Sequence, residues 1–486
     1  MAERAWSHYQ QAVFDFIRDE PGNAVVRAVP GSGKTTTIVE AAKLVPPGKK
    51  VAFFAFNNSI VKELKTKLPT TVKVMSLHGF GLSVIGRRRR VDVDEYKGLN
   101  LVKKVLGGWD GKRSGEEVMM DPFVTADNCE AVRETMSLAK GMLTRPDDII
   151  SILDDFDISS NNMSDEQIAD AAFEVMRHSR AMTQVVDYDD MLWVPYVDKL
   201  PVPQFDYVFL DETQDMNAAQ LYLVLEAVKN GGRVIAVGDP RQAIYGFRGA
   251  DSGAMDNIAR ALDATILPLS VCYRCGTSIV AEAQKIEPSI ESMPGATEGI
   301  VRNIGIEKVL AEVKGGDFII SRTNAPLVSL CFKLLAQGRP AYIQGRDVGR
   351  SLKTLIEKSK AESIEEFLIY LEEWYQRELN RLIEREKSTA ALEDRKACME
   401  ALCEGRKFLS EVEAAIDAAF LDAKDSTKVR LSSTHRAKGL EADRVFMIRD
   451  TFKPDADIEE SNLLYVATTR AKNELVYVHG SETRRR

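Results

Sequence analysis

The chain has 486 residues, of which 44% are hydrophobic, and a formal net charge of −8, which predicts a globular protein of two to four domains. No apolar run is long enough to span a bilayer and no signal-peptide pattern opens the chain, so we expect neither a membrane protein nor a secreted one. Six cysteines suggest reduced thiols in a cytoplasmic, nucleoid or nuclear protein, and the acidic balance argues against a surface coated in basic patches while allowing a local basic groove.

A short helix is predicted over Trp6–Ile17, with Gln10 near its start. A glutamine amide carries a donor and an acceptor, which suits the edge of adenine. Such a residue alone is most often on the surface, but this one stands just upstream of the motif described next.

The stretch Ala28–Thr35 reads Ala-Val-Pro-Gly-Ser-Gly-Lys-Thr and stands between a strand-like run, Asn23–Val29, and a helix-like run, Thr36–Leu44. A strand, a glycine-rich turn and a helix form a phosphate-binding loop, because the turn aims backbone N–H groups at a phosphate and the helix N-terminus adds partial positive charge. The usual pattern opens with Gly where this chain has Ala28, which is the smallest substitute.

The side chains of this loop predict its ligands. Lys34 can reach the β- and γ-phosphates of a nucleotide, and Thr35 can hold Mg²⁺. A chance glycine-rich turn is the alternative, and it is a poor one because Gly31 and Gly33 stand in register with both residues.

Two further strands, Lys50–Phe56 and Val72–Met75, end in polar residues, Asn57-Asn58-Ser59 and Ser76-Leu77-His78. Ligands of open α/β sheets gather at the carboxyl ends of strands. Taken alone, His78 is more often a structural histidine.

Arg87–Arg90 is a run of four arginines, a pattern more typical of solvated surface than of a nucleic-acid patch. The residues from about Val91 to Arg180 are charged and mostly helical, which indicates an insertion. An acidic turn leading into an apolar helix, Asp187–Leu192, follows.

Phe205–Leu210 is an apolar strand that ends in Asp211 and Glu212. Paired acids at this place form the second half of a nucleotide-hydrolysing site, where Asp211 would hold Mg²⁺ through water and Glu212 would polarise the attacking water. Acids enriched at a helix N-terminus are the alternative.

The strand Arg233–Val237 leads through Gln242 into a loop that carries Tyr245, Phe247 and Arg248. Two aromatic rings and an arginine make a base-stacking platform plausible. Packing of the loop onto the sheet is an equally good interpretation.

A second α/β pattern begins near Ala264, without a second phosphate loop. Its helical segment has no glycine from Arg350 to Glu404. Cys272 and Cys275 form a lone C-x-x-C without a second ligand pair, so we interpret them as ordinary residues. The strands predicted for this part are Thr265–Leu269, Phe318–Ser321, Ala341–Gln344, Val429–Ser433, Arg444–Ile448 and Glu474–Val478.

In order and over nearly the whole chain, these motifs resemble those of superfamily 1 helicases of the UvrD/Rep type. Asn57–Ile60 and Ser461–Tyr465 look closest to the F-box DNA helicase branch, although no F-box is recognisable. The motifs that carry the resemblance are Gln10, the phosphate loop, Ala55–Asn58, Asp187–Leu192, Asp211–Asp215, Val237–Ala250, Leu269–Arg274, Thr434–Glu441 and Leu464–Ala471.

The resemblance implies a role for each matched position. Gln10 would read adenine, Tyr273 would stack on it, Glu441 would approach the ribose and Gln242 would sense the γ-phosphate, while Arg274 and Arg470 would act as arginine fingers. The remaining nucleotide-binding positions would be Pro30, Gly31, Ser32, Gly33, Lys34, Thr35 and Thr36. The positions facing single-stranded DNA would be Asn58, His78, Tyr245, Phe247, Arg248, Thr434 and His435.

The fold implied is α/β, with two RecA-like, doubly wound parallel-sheet domains and helical insertions. We expect the first RecA-like domain at 1–85 and 187–262, interrupted by a helical insertion at 86–186. We expect the second at 263–350 and 426–486, interrupted by a short helical insertion at 351–425.

The function implied is that of an ATP-dependent 3′ to 5′ DNA helicase or translocase, with ATP and Mg²⁺ as cofactors. Its partners would be single-stranded DNA and junctions of single- and double-stranded DNA, and we expect a monomer. One alternative is a translocase that strips proteins from DNA with little unwinding. Another is a nucleotide-gated scaffold without turnover, against which the intact acids and arginines argue.

Overall fold

The structure is a computed structural model that describes residues 5–55, 57–107, 124–160, 162–246, 253–384, 389–421, 425 and 427–480. The chain divides into two compact units, one of Met1–Ala28 and Gly33–Leu269 and the other of Val29–Ser32 and Ser270–Arg486. None of the helices in the described ranges combines the length and the apolar character needed to cross a bilayer.

The elements of the first unit follow one another in a largely alternating α/β order. They are α1 (His8–Asp19), β1 (Ala24–Ala28), α2 (Lys34–Lys43), β2 (Val51–Ala55), α3 (Asn58–Lys67), β3 (Val72–Ser76), α4 (Leu77–Gly86), β4 (Asp92–Val93), α5 (Lys97–Leu106), α6 (Ala126–Met142), α7 (Ile149–Asp155), α8 (Asp165–Ala181), β5 (Val185–Val186), α9 (Tyr188–Val197), β6 (Phe205–Leu210), α10 (Ala218–Ala227), β7 (Val228–Gly238), α11 (Ala254–Ala261) and β8 (Thr265–Leu269), with 3₁₀ turns at Pro146–Asp148, Thr213–Asp215 and Pro240–Gln242.

Six parallel strands form the sheet of this unit, in the order β3-β2-β6-β7-β1-β8. The inner strand β2 is buried along its whole length, as expected for a parallel strand covered on both faces. Its alternate residues enter different cores: Phe53 packs with α1, α2 and α3, whereas Phe54 packs with α4, α10 and α11. The first unit is therefore a doubly wound parallel sheet.

The helices α5 to α8 have a hydrophobic core of their own, to which α4 and α9 contribute. A buried ion cluster lies at the start of α9. Lys97 Nζ is 2.6 Å from Asp190 Oδ2 and Lys140 Nζ is 2.7 Å from Asp190 Oδ1, while Asp187 caps α9 by accepting from Asp190 N at 2.8 Å. Ser179 of α8 also donates to Asp190. We refer to Lys97, Lys140, Ser179, Asp187 and Asp190 as the α9 ion cluster.

The second unit continues this pattern. Its elements are β9 (Val271–Cys272), α12 (Thr277–Gln284), β10 (Glu291–Ser292), β11 (Ile300–Gly305), α13 (Ile306–Glu312), β12 (Phe318–Ser321), α14 (Ala325–Ala336), β13 (Ala341–Gln344), α15 (Arg346–Ser359), α16 (Ile364–Glu384), α17 (Ala390–Cys403), α18 (Leu409–Ala419), β14 (Phe420–Leu421), β15 (Val429–Ser433), α19 (Thr434–Ala437), β16 (Ala442–Ile448), α20 (Ile458–Thr468) and β17 (Ala471–His479), with a 3₁₀ turn at Arg449–Thr451.

Seven strands form the sheet of the second unit, in the order β11-β17-β16-β12-β15-β13-β14, and every pairing is parallel. The helices α15 to α18 pack directly on this sheet, since Leu352, Phe367 and Val412 share one hydrophobic core with Ile319 and Leu431 of the strands. The predicted α/β class with two parallel sheets is confirmed.

One predicted strand belongs to the other sheet. The sequence placed Thr265–Leu269 at the start of the second α/β pattern, but this strand, β8, pairs with β1 of the first sheet. It is an edge strand that includes Pro268, and edge strands tolerate proline because one side of their backbone needs no partner. The assignment of Thr265–Leu269 to the second domain was therefore wrong.

Candidate nucleotide and nucleic-acid site

The phosphate loop has the backbone that its glycines predict. Gly31 has φ of +70° and Gly33 has φ of +79°, a region that L side chains rarely adopt. Gly33 is the N-cap of α2, so Lys34 and Thr35 occupy its first turn. Ser32 is buried and its hydroxyl oxygen lacks a hydrogen-bond partner among the described residues. Pro30 is also buried, and Thr36 is half-buried. The loop and the helix N-terminus together form an anion-binding geometry.

The first acid of the motif that follows β6 lies beside this loop. Thr35 Oγ1 donates to Asp211 Oδ2 at 2.8 Å. Burial, reinforced by the charge of Glu212, raises the pKa of Asp211 to about 6, although Thr35 and Lys34 act in the opposite direction. A buried carboxylate with a raised pKa gains from a nearby cation, so this position suits a metal-bound group.

Glu212 has a left-handed backbone, with φ of +53° and ψ of +44°, which is uncommon for a residue other than glycine and a mark of functional sites. Gln214 Nε2 donates to Glu212 Oε2 at 2.6 Å, and Gln214 Oε1 accepts from Asp239 N at 3.0 Å. One buried amide thus fixes the carboxylate of Glu212 to the end of β7.

Gln242 is tied to the same place. Its Nε2 donates to Asp239 Oδ2 at 2.7 Å, and both side chains are buried. Burial raises the pKa of Asp239, against which the positive charge of Lys34 acts. Gln214 and Asp239 both stand inside predicted motifs but had no predicted role, because their mutual bond cannot be read from spacing.

Gln10 is buried in the first unit, where its amide joins two elements. It forms a capping box with Ser7 at the start of α1, and its Nε2 donates to Thr37 Oγ1 of α2 at 2.9 Å. The amide therefore holds α1 against the helix that follows the phosphate loop.

A second group of residues surrounds the end of β3. Ser76 Oγ caps α4 and lies 3.3 Å from Asn58 Oδ1. The rings of His78 and Tyr188 meet edge to face, with centroids 6.2 Å apart, and Tyr188 is 54% exposed. Burial lowers the pKa of His78, although Asp189 opposes the shift, so the imidazole is neutral near pH 7. Tyr188 stands in the predicted acidic turn, but no role was predicted for its ring.

The loop predicted as a stacking platform is described only in part. Tyr245 is half-buried, and it follows the 3₁₀ turn that contains Gln242. Phe247 and Arg248 lie outside the described residues, so their roles stay predictions.

In the second unit, Arg274 and Glu441 form an ion pair with Nε and Oε2 2.7 Å apart, and Lys472 contacts the same carboxylate at 2.7 Å. Burial alone would raise the pKa of Glu441, but Lys472 and Arg274 hold it below its ordinary value. Tyr273 is 41% exposed. Its backbone N–H donates to Gly31 O at 2.9 Å, and Gly31 itself belongs to the second unit.

Arg470 is almost fully buried, at 1% exposure. Its guanidinium donates to Val466 O at 2.8 Å, to Leu440 O at 3.3 Å and to Thr469 Oγ1 at 3.1 Å. Arg274 donates to Thr469 O at 3.2 Å. The two arginines thus contact the same residue, Thr469, from two parts of the chain.

Thr434 corrects one expectation. It was predicted to face single-stranded DNA, but it is fully buried and its hydroxyl donates to Ser321 O at 3.2 Å. Thr434 immediately follows β15, and the neighbouring strand β12 encloses its side chain. The side chain therefore packs inside the second unit. His435, the next residue, is half-buried and lies 3.9 Å from Glu459.

Comparisons with known proteins agree with this arrangement. The UvrD/REP helicase N-terminal domain model matches residues 9–263, and the UvrD-like helicase C-terminal domain model matches residues 428–478. F-box DNA helicase protein 1 of Schizosaccharomyces pombe is 24% identical over 94% of this chain and 55% of its own length. ATP-dependent DNA helicase PcrA of Bacillus subtilis is 23% identical over 56% of this chain and 38% of its own.

A third relative, the probable DNA helicase II homolog of Rickettsia felis, is 22% identical over 59% of this chain and 46% of its own length. The chain thus covers between 38% and 55% of the length of these three relatives. The N-terminal family model spans more than half of the chain, and the predicted resemblance is confirmed. The chain belongs to the UvrD/Rep family of helicases.

Proposed function

We propose that the chain is an ATP-dependent DNA helicase or translocase that binds single-stranded DNA and moves along it from 3′ to 5′. The observation that carries the proposal is the hydrogen bond between Thr35 and Asp211. It joins the phosphate loop after β1 to the acids after β6, at the carboxyl ends of two strands of one parallel sheet, where open α/β folds bind ligands.

The residues present fit Mg-ATP. The unpartnered hydroxyl of buried Ser32 and the left-handed glycines suit phosphate oxygens, and Thr35 and Asp211 would hold Mg²⁺. No cluster of three or more His, Cys, Asp or Glu side chains in the described ranges could hold a metal ion. Proteins bind magnesium through one or two side chains together with substrate phosphates and water, so Thr35 and Asp211 would suffice on the protein's side. When bound, Mg-ATP supplies the phosphoryl group and the metal that neutralises its charge.

The chain's own groups then have distinct tasks in hydrolysis. Lys34 neutralises phosphate charge, and Glu212 orients water and accepts its proton. Gln214 positions Glu212 through its 2.6 Å bond. Gln242 would sense the γ-phosphate. Its amide donates to Asp239 Oδ2, and the backbone N–H of Asp239 donates to Gln214, so Asp239 links Gln242 to the residue that positions Glu212.

Groups of the second unit would serve the same nucleotide. Tyr273 would stack on adenine beside Gln10, Glu441 would contact the ribose, and Arg274 and Arg470 would stabilise charge on the transferring phosphoryl group. Both arginines are now bound to acceptors of their own unit. Their action as fingers therefore requires that they exchange these acceptors for phosphate oxygens.

Single-stranded DNA would contact Asn58, His78 and Tyr188 of the first unit and His435 of the second. The exposed ring of Tyr188 and the neutral imidazole of His78 suit stacking on bases, which tolerates any sequence, as a motor requires. Tyr245, Phe247 and Arg248 follow Gln242 closely in the chain, so a displacement of the γ-phosphate sensor would reach the DNA through few residues.

A phosphate-release assay with and without single-stranded DNA tests this proposal. We expect Mg²⁺-dependent ATP hydrolysis that single-stranded DNA stimulates and double-stranded DNA without tails does not. Turnover that is absent under all conditions would favour a nucleotide-gated scaffold. A DNA-stimulated ATPase that displaces bound proteins but leaves tailed duplexes intact would favour the protein-stripping translocase.

A further inference from the structure

The first turn of α9 places an exposed ring between two buried acids. Tyr188 directly follows the N-cap Asp187 and is 54% exposed, whereas Asp187 and Asp190 are 5% and 0% exposed. The hydroxyl of Tyr188 has no hydrogen-bond partner among the described residues, and its ring meets that of His78 edge to face. The direction of the ring is therefore set by the backbone of this turn and by the contact with His78.

The inserted helices α5, α6 and α8 hold this turn through one carboxylate. Lys97 of α5 and Lys140 of α6 lie 2.6 Å and 2.7 Å from the two oxygens of Asp190, and Ser179 of α8 donates to both oxygens at 2.9 Å and 3.0 Å. Asp190 N in turn donates to Asp187 Oδ1 at 2.8 Å, and Asp187 N donates to Asp190 Oδ2 at 3.3 Å. The backbone on either side of Tyr188 is thus tied to the α9 ion cluster.

The two lysines have little freedom to leave this place. Lys97 Nζ also donates to Ser179 O at 2.9 Å and to Val185 O at 2.8 Å. With Asp190 it therefore has three acceptors for its three N–H groups. Lys140 Nζ also donates to Ser179 Oγ at 3.3 Å. Since both lysine side chains are almost completely buried, water cannot replace these acceptors.

A buried ion cluster is a costly way to fill the interior of a protein. Apolar side chains of similar volume often give equal or greater stability, because they avoid the desolvation of charges. Charged hydrogen bonds, however, restrict the angle as well as the distance between their partners. The α9 ion cluster therefore allows one arrangement of the turn that carries Tyr188, where an apolar contact would tolerate several.

We propose that Lys97, Lys140 and Ser179 are positioning residues for single-stranded DNA. Acting through Asp190, they hold the turn of Tyr188 so that its ring and that of His78 form one stacking surface for a base. This inference rests on the proposed function, which brings both rings into contact with DNA. The inserted helices then determine how tightly the first unit binds DNA through the backbone of α9, at a distance from the DNA itself.

Binding of a fluorescein-labelled oligothymidylate to the full chain, followed by fluorescence anisotropy, tests this inference. Ser179→Ala is the most informative variant, because it removes a donor to Asp190 and leaves the net charge unchanged. We expect its Kd to rise by about twofold to tenfold. This is a part of the roughly 5- to 150-fold rise that loss of the whole ring in Tyr188→Ala should cause. Lys140→Met should act in the same direction.

A double-mutant cycle distinguishes positioning from an independent contribution. When Tyr188 is already Ala, Ser179→Ala should weaken DNA binding no further, because the ring through which it acts is gone. Lys140→Met should show the same lack of a further effect in the Tyr188→Ala background. Losses that multiply in both cycles would overturn the inference. Ser179→Ala keeps the test decisive if Lys140→Met does not fold.

Leu153→Ala is the matched control for a general loosening of the inserted helices. Leu153 of α7 is fully buried in their hydrophobic core, so its truncation leaves a cavity and lowers the melting temperature. It should leave the affinity for the oligonucleotide unchanged. A rise in Kd equal to that of Ser179→Ala would show that loosening alone weakens binding, and would overturn the inference.

The same titrations separate failure of the inference from failure of the proposed function. Wild-type protein that does not bind the oligonucleotide would overturn the proposed function, and the inference with it. Wild-type protein that binds it, together with Ser179→Ala binding equally well, would overturn the inference alone.

Discussion

At the scale of residues, Lys34 and Glu212 are both assigned to the proposed nucleotide site, but their variants should fail in different ways. Lys34→Ala removes phosphate binding together with turnover. Glu212→Gln keeps the shape and the bond from Gln214 but loses the proton acceptor, so kcat should fall by about 10²–10⁴-fold while ATP and DNA still bind. Phosphate release and nucleotide titrations measure both effects. Glu226→Gln, at an exposed acid of α10, is the control; near-normal turnover of Glu212→Gln would contradict its role.

Asp211 has a folded-state pKa of about 6, above its ordinary value of 3.8. As the pH rises, the carboxyl group of Asp211 therefore loses its proton at a lower pH in the unfolded chain than in the folded protein. Ionisation of Asp211 thus lowers the free energy of unfolding, and this loss of stability develops between about pH 4 and 6. In the absence of nucleotide and Mg²⁺, Asp211→Asn should raise the melting temperature at pH 7.5, by about 2–4 °C for each kcal/mol of destabilisation removed. The difference should shrink as the pH falls toward 4.

Asp206, in the strand β6 that precedes Asp211, is the matched control for this measurement. Its pKa is lowered by the bond from Lys50 N, with Lys229 contributing, so its charge is favourable and Asp206→Asn should bring no gain. Asp211→Asn should also abolish ATPase activity. An equal or lower melting temperature for Asp211→Asn at pH 7.5 would show that the ionised carboxylate of Asp211 does not destabilise the folded protein.

At the scale of elements, the α9 ion cluster ties the inserted helices to the start of α9. Lys140 is fully buried and lies 2.7 Å from Asp190; burial opposes its charge, but Asp190 and Asp187 keep its pKa raised. Lys140→Met should lower the free energy of unfolding by about 3–5 kcal/mol, because it leaves buried acids without their partner. Urea denaturation measures this loss.

A second variant distinguishes the pairing of charges from packing. Lys140→Met combined with Asp187→Asn removes one charge of each sign, so it should recover part of the lost stability. Lys353→Met, which breaks the more exposed pair with Asp417, should cost less than about 1 kcal/mol. A loss as small as this for Lys140→Met would contradict the account of the cluster.

Most strands were predictable because parallel strands buried on both faces read as apolar runs; Phe205–Leu210 and Val429–Ser433 match the structure residue for residue. Edge strands were harder. Strand β11 is half polar and was missed, and β8 was assigned to the wrong sheet, because a sequence pattern carries no information on which sheet an edge strand joins. The domain bounds within each unit stay predictions.

The site was predictable where a motif fixes local backbone geometry, as for Gly31, Gly33 and Lys34. Contacts between distant segments could not be predicted, because the bond of Gln214 to Asp239 and the enclosure of Thr434 depend on how strands pair. The same limit applies to the 3.9 Å contact of Cys275 Sγ with Thr469 O, because these residues stand 194 positions apart in the chain.

At the scale of the whole molecule, the proposed function is that of a motor that couples ATP hydrolysis to movement along DNA. Two parallel-sheet units, each with helices inserted, are present in one chain, and the first of them holds Lys34, Thr35 and the acids Asp211 and Glu212. Each unit has a hydrophobic core of its own.

The measurement that tests this claim most directly is strand separation of a duplex with a single-stranded tail at either its 3′ or its 5′ end. With Mg-ATP, we expect wild-type protein to separate the strands of the 3′-tailed duplex and to leave the 5′-tailed duplex paired. Glu212→Gln should bind both substrates and separate neither. Separation without ATP, equal separation of both substrates, or activity in Glu212→Gln would contradict the account.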